Sequence, residues 1–120
     1  MNDSSAVRAA AIERAVHAIE AAKLRVIGRD WNSGGHHLDL VATPGEDILA
    51  VVEVRAVAHG TLGPCVTAVT EARFWQAADA ARAWMREHGT RYEDLWLLVV
   101  TVDPDGCAEV AAGNAAEGVA

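Results

Sequence analysis

Cysteine is scarce. Cys65 and Cys107 are the only two, with neither a CxxC pair nor a Cys/His spacing around them. That argues against a zinc site and a disulfide framework and points to two reduced, partly buried thiols. Positive charge is also short: 10 Lys and Arg stand against 17 Asp and Glu, for a net charge of −7. Such a balance opposes tight non-specific nucleic-acid binding, which works by neutralising phosphates. It leaves room for a local basic edge, or for an acidic pocket that recruits a divalent cation. No apolar run reaches the ~18 residues of a membrane span. The opening "MNDSSAVRAA" lacks a basic stretch followed by an apolar one, so no secretory signal is read and the expected place is the cytoplasm. Internal repeats and linkers are missing too. "GTLG" at 60–63 is no phosphate loop, because the GK[ST] ending is absent.

What is present is an ordinary globular composition, 52% hydrophobic and 22% charged over 120 residues. A chain of this length buries roughly two-thirds of its unfolded surface, enough for one sheet covered by helices. One domain is expected over residues 1–112, with a flexible tail over 113–120. Ser4 or Ser5 can cap a helix running to about Ala22, with Val7, Ala11, Ala15, Ala18 and Ala22 as its apolar stripe and Ile12, Val16 and Ile19 beside it. Arg8, Arg14, Glu20 and Lys23 fall largely off that stripe. Strands are expected over Arg25–Trp31, His37–Thr43 and Ile48–Val57, with "PGED" at 44–47 as the turn between the last two. A loop over 58–69 leads to a helix from a Thr70 cap to about Glu87, stopped by Gly89. "LWLLVVTV" at 95–102 reads as a strand covered on both faces, and Ala108–Ala112 as a short edge strand. The order is α-β-β-β-α-β-β, an α/β fold with a mixed central sheet flanked by helices.

Charge inside the apolar hairpin "LDLVATPGEDILAVVEVRAV" is the feature that asks for a function. Asp39 and Glu53 are placed symmetrically about Glu46. A turn centred there brings them opposite one another, with Cβ atoms ~5 Å apart. Glu53 and Arg55 share a strand face because side chains alternate with period two. A one-residue slip would send Asp39 to the other face. Two carboxylates that close stay ionised only with a cation between them. A divalent ion such as Mg²⁺ or Mn²⁺ is one candidate. The other is a Glu53–Arg55 salt bridge on a solvated face, with Asp39 as an edge residue. His37 shares a face with Asp39 and could join it as a ligand, whereas His36 points the other way. His17, His59 and His88 read as surface or capping residues. Trp75, Trp84 and Phe74 could stack bases, but their helical spacing makes them core. Trp31 and Trp96, on strands, read as core or as a homodimer interface.

"GGHHLDLVA", "VVEVRAV" and "GTLGPCVTAVTEAR", preceded by "IERAVHAIEAAKLRVIGRDW", resemble the YraN-like family of bacterial proteins, over about Ala10 to Val102. That family is placed in the restriction-endonuclease-like, PD-(D/E)xK superfamily. The resemblance implies Asp39 and Glu53 as the two motif carboxylates, Val54 as a backbone-carbonyl metal ligand, and Glu13 as the helix carboxylate. It implies one or two Mg²⁺ or Mn²⁺ ions and hydrolysis of phosphodiesters in DNA or branched nucleic acid. This chain departs from the family pattern at three places. His37 stands where the family has Glu, Arg55 where it has the motif Lys, and Arg73 where the second helix opens with Lys. Arginine keeps its proton, so Arg55 cannot serve as a general base. It can still orient a water or stabilise charge on a phosphate, which gives it a catalytic place beside Asp39 and Glu53. The alternative expectation is a decayed nuclease fold, serving nucleic-acid processing as an accessory or protein-interaction module.

Overall fold

The computed structural model describes residues 3–45, 47–57 and 71–112. The expectations for Glu46, the 58–69 loop with His59 and Cys65, the Thr70 cap and the 113–120 tail lie outside these residues. The element order is α1 (Asp3–Ala21), β1 (Arg25–Ser33), β2 (His36–Gly45), β3 (Ile48–Ala56), α2 (Glu71–His88), β4 (Asp94–Val102) and β5 (Ala108–Ala112). This is the expected α/β order with a mixed sheet. The strands lie side by side in chain order; β3 and β4 run parallel, and the other neighbours are antiparallel. A parallel pair needs a crossover, and α2 lies within it.

Alternation along the central strands gives the sheet two apolar faces, and each takes one helix. Leu40, Ala42, Ala50, Val52, Val54, Val100 and Val102 pack against Ala11, Ala15, Val16 and Ile19 of α1. Val41, Leu49, Val51, Leu97 and Val99 pack against Ala80, Ala81 and Trp84 of α2. Fully burying one such Val, Leu or Ile side chain contributes about 1.5–3 kcal/mol. Ala11 and Ala15 share the buried face of α1 with the larger Val16 and Ile19. The stripe is narrower than expected: Val7 is 54% exposed, and Ala22 is exposed as well. α1 also starts at Asp3, ahead of both serines expected to cap it.

Both helix ends close the same way. After α2, Gly89 has a φ of +64°, its N–H donates to Arg86 O, and Thr90 N–H donates to Met85 O. This is the left-handed ending that glycine favours, as expected at Gly89. After α1, Lys23 takes a φ of +73°, with Lys23 N–H donating to Glu20 O and Leu24 N–H to Ile19 O. There a lysine holds the position that suits glycine.

Trp84 is buried as expected, and His88 caps that end of α2 by stacking on Trp84 and bonding through Nδ1 to Trp84 O at 2.8 Å. Trp75 corrects the core expectation, being 50% exposed with Phe74 edge-on beside it. It lies one residue round the helix from the stripe that Phe74 follows. Trp31 packs with the α2-side core and donates its Nε1–H to Glu87 at 3.1 Å. That bond, with one from Ser33, holds the Glu87 carboxyl below its usual range. Trp96 is 42% exposed, and Cys107, expected to be partly buried, is exposed just ahead of β5. Among the described residues no helix is long and apolar enough to cross a membrane.

Candidate functional site

From Leu40 to Ala42 the hairpin register is the one that its sequence symmetry predicts, although it shifts by one toward the turn, where Gly45 pairs with Ile48. Leu40 pairs with Val52, Val41 with Val51 and Ala42 with Ala50. Beyond Leu40 the strands meet differently. Leu38 packs on the α2 side although Leu40, two residues on, packs on the α1 side. A regular strand would put both on one face, so the pleat breaks at Asp39. The Asp39 carboxylate turns toward the neighbouring strand, and its Oδ2 accepts the Val54 N–H at 2.8 Å. The side chain thus takes a backbone donor that a strand carbonyl would otherwise satisfy.

The other oxygen of Asp39 is equally engaged. Oδ1 accepts from Arg8 of α1 and meets His37 Nε2 at 2.7 Å. Arg8 also donates from Nη1 to the Val54 carbonyl at 2.6 Å. One guanidinium therefore spans the Asp39 carboxylate and the Val54 carbonyl. The far ring nitrogen of His37 meets Asn32 Oδ1 at 2.8 Å, so β1 fixes the imidazole that touches Asp39. Burial pushes the Asp39 carboxyl up. The Val54 amide, Arg8 and His37 together outweigh that push, and the carboxyl lies below its ordinary value.

Glu53 sits on the α2 face of β3. Its Oε2 accepts Arg55 Nε at 2.8 Å, and its Oε1 accepts from Arg73, at the start of α2, with Nη2 at 3.1 Å and Nε at 3.3 Å. The Glu53–Arg55 pair is the internal partnership expected from their spacing of two. Arg73 adds a second clamp. Arg8, His37, Asp39, Glu53, Val54 and Arg73 all line one cleft of about 620 Å³ between the inner strands β2 and β3 and α2.

Glu13 is not brought to this cluster. Its carboxylate pairs with Arg29 of β1 at 3.1 Å and is 59% exposed. The residue of α1 that reaches Asp39 is Arg8, which the sequence reading had set aside as off the stripe. Its position held a usable signal: residues 8, 11, 15 and 19 follow helical spacing, so Arg8 extends the buried row at its N-terminal end. Asn32 was missed as well, and nothing in its turn-like surroundings marks it.

A match to Uncharacterised protein family UPF0102 covers residues 13–102. The chain belongs to that family. Its UPF0102 relatives include a protein of Nitratidesulfovibrio vulgaris, 36% identical over 61 residues, 51% of this chain and 45% of that one. The chain thus matches about half the length of that relative. A UPF0102 protein of Beutenbergia cavernae is 33% identical over 84 residues, 70% of each chain. One of Mycolicibacterium gilvum is 32% identical over 89 residues, 73% of this chain and 72% of that one. Asp39, Glu53 and Val54 lie within the UPF0102 match, and Arg8 lies ahead of it.

Does this donor set suit a divalent ion? Both Asp39 oxygens and the Val54 carbonyl are bonded to N–H or ring-nitrogen partners, and both Glu53 oxygens to guanidinium groups. Among the described residues no group of three or more His, Cys, Asp or Glu side chains is arranged to hold a metal ion. In this arrangement the residues fit guanidinium groups, not a metal.

Proposed function

We propose that this protein binds the phosphates of DNA or branched nucleic acid at the cleft between the inner strands and α2, as a nuclease-fold accessory to nucleic-acid processing in the cytoplasm. One observation carries the reading. Arg8, Arg73 and His37 stand at the mouth of the cleft with side chains 43%, 53% and 45% exposed, while Asp39 and Glu53 hold them from within. A carboxylate behind a guanidinium fixes its orientation, and the planar fork suits a phosphate on its outer side. The lining also carries Asp79, so the attraction rests on the orientation of the two guanidinium groups and not on a net positive charge of the cleft.

The test is fluorescence anisotropy with duplex, single-stranded and four-way-junction DNA across a salt series, on wild type and Arg73→Ala. Wild type binds at least one of the three. Arg73→Ala weakens that binding and lowers the slope of log K against log salt by about one. Failure of wild type to bind any of the DNAs, or an unchanged slope in the variant, overturns the reading.

A second reading is an endonuclease that hydrolyses DNA phosphodiesters with Mg²⁺ or Mn²⁺ at Asp39 and Glu53. What favours it is that both carboxylates and Val54, with its backbone carbonyl, line one cleft. Plasmid, single-stranded and branched DNA, incubated with Mn²⁺ and wild type, Arg55→Lys or the Glu53→Ala blank, tests it. Cleavage above the blank by either protein would make hydrolysis the assignment.

A further inference from the structure

We infer that Arg8 is a resident cation that excludes divalent ions from Asp39. The inference deepens the reading of the same cleft. Its test uses the ion alone, without DNA, so its failure is separable from failure of the phosphate-binding reading.

The geometry is that of a substitution. A hard divalent ion at this hairpin would need the Asp39 carboxylate and a backbone carbonyl as oxygen ligands. Both are taken by one side chain: Arg8 donates to Asp39 Oδ1 and, at 2.6 Å, to Val54 O. The remaining Asp39 oxygen is committed to the Val54 N–H. An ion can take Asp39 Oδ1 and the Val54 carbonyl together only as the guanidinium leaves, because both oxygens already face its N–H groups.

Arg8 is also placed to leave. Across residues 5–10 of α1 every side chain except Arg8 is exposed, and the apolar anchoring of the helix begins at Ala11. Arg8 comes from α1, on the face of the sheet opposite to α2, 31 residues from Asp39 and 46 from Val54 in sequence. It also lies outside residues 13–102, the part matched to the family. The contact is thus made from the first turns of α1, ahead of the matched residues, to a carboxylate within them.

The experiment is a Mn²⁺ titration by calorimetry at neutral pH, with Mn²⁺-induced thermal shift as a second readout. The proteins are wild type, Arg8→Ala, Arg8→Gln and the double variant Arg8→Ala/Asp39→Asn, each checked for folding by circular dichroism. Arg8→Ala should bind one Mn²⁺ about ten- to a hundredfold more tightly than wild type, the range set by loss of a charge-assisted hydrogen bond. Its melting temperature should rise with Mn²⁺ while that of wild type stays still. Arg8→Gln, which keeps a side chain in place without the charge, should gain affinity in the same direction, and the double variant should lose the gain. The inference is overturned if wild type binds Mn²⁺ as tightly as Arg8→Ala in an Asp39-dependent way. It also falls if both folded single variants gain nothing, or if the gain survives in the double variant. Should neither single variant fold, wild type against Asp39→Asn decides: saturable Mn²⁺ binding present only in wild type overturns the inference, and equal absence supports it.

Discussion

Arg8 and Asp39, 31 residues apart in sequence, form an ion pair in which the carboxylate is sealed and the guanidinium half open, 8% against 43% exposed. The asymmetry sets the cost of breaking it. Removing the guanidinium leaves a buried carboxylate with less to neutralise it. A fully buried pair would cost about 3–5 kcal/mol to break, but water reaches this one, so Arg8→Ala should cost about 1–3 kcal/mol. Urea unfolding should show a lower midpoint with an unchanged slope. Arg8→Lys should recover only part of the loss, because an ammonium lacks the fork that spans Asp39 and the Val54 carbonyl. A loss below about 0.5 kcal/mol in Arg8→Ala, the range of an ordinary surface change, would show that the pair does not hold α1 down.

Acid should act through the same carboxylate. Asp39 lies below its ordinary value when folded, because its hydrogen bonds outweigh burial. A group depressed in this direction contributes stability that is fully present above its unfolded value of about 3.9. That contribution is lost as pH falls through the folded value. Asp39→Asn should therefore be less stable than wild type at pH 7 and lose less stability between pH 5 and pH 2. Urea midpoints across that range check this; parallel curves for the two proteins would remove Asp39 from the acid limb.

Lys23 closes α1 with a φ of +73°, and Leu24 N–H donates to Ile19 O at 3.2 Å. A side chain in that conformation costs about 1 kcal/mol relative to glycine. Lys23→Gly should stabilise the fold by about that amount, raising the melting temperature by several degrees. A lower melting temperature would mean that the lysine side chain contributes more than its backbone conformation costs.

Much of this was legible in the sequence, for reasons that also explain what was not. Val, Ile and Leu fill β3 and β4 so densely that only a strand covered on both faces suits them, and the symmetry about Glu46 gives the Leu40–Val52 register but not the irregularity between Ala42 and Gly45. The Glu53–Arg55 contact follows from a spacing of two on one strand. The break in the pleat at Asp39 leaves no residue signature, because "HLDLV" reads equally well as an unbroken strand. Arg8 was discounted because a charged residue counts as polar in a helical stripe, although its long stem can run along an apolar surface to a buried partner. Glu13 was drawn to the site by resemblance alone; its contact with Arg29 depends on where β1 crosses the helix, which periodicity does not encode.

Glu53 gives the test that best separates the two functional readings. Its carboxylate holds Arg55 on one oxygen and Arg73 on the other, with a side chain 18% exposed. In the phosphate-binding reading it is a tether: it orients two guanidinium groups and offsets part of their charge. Glu53→Gln keeps the shape, removes one negative charge from the cleft, and leaves an amide oxygen as a weaker acceptor. DNA should then bind more tightly, by about two- to tenfold at low salt, with a steeper dependence of log K on log salt because more positive charge faces the phosphates. In the hydrolase reading the same carboxylate serves a divalent ion, so Glu53→Gln should bind DNA no better than wild type when Mn²⁺ is present and should lose any cleavage. Anisotropy titrations with Mn²⁺ or with chelator separate the outcomes. Tighter binding in both conditions supports arginines held in reserve. Weaker binding confined to the Mn²⁺ arm would transfer the role of Glu53 from tether to ligand.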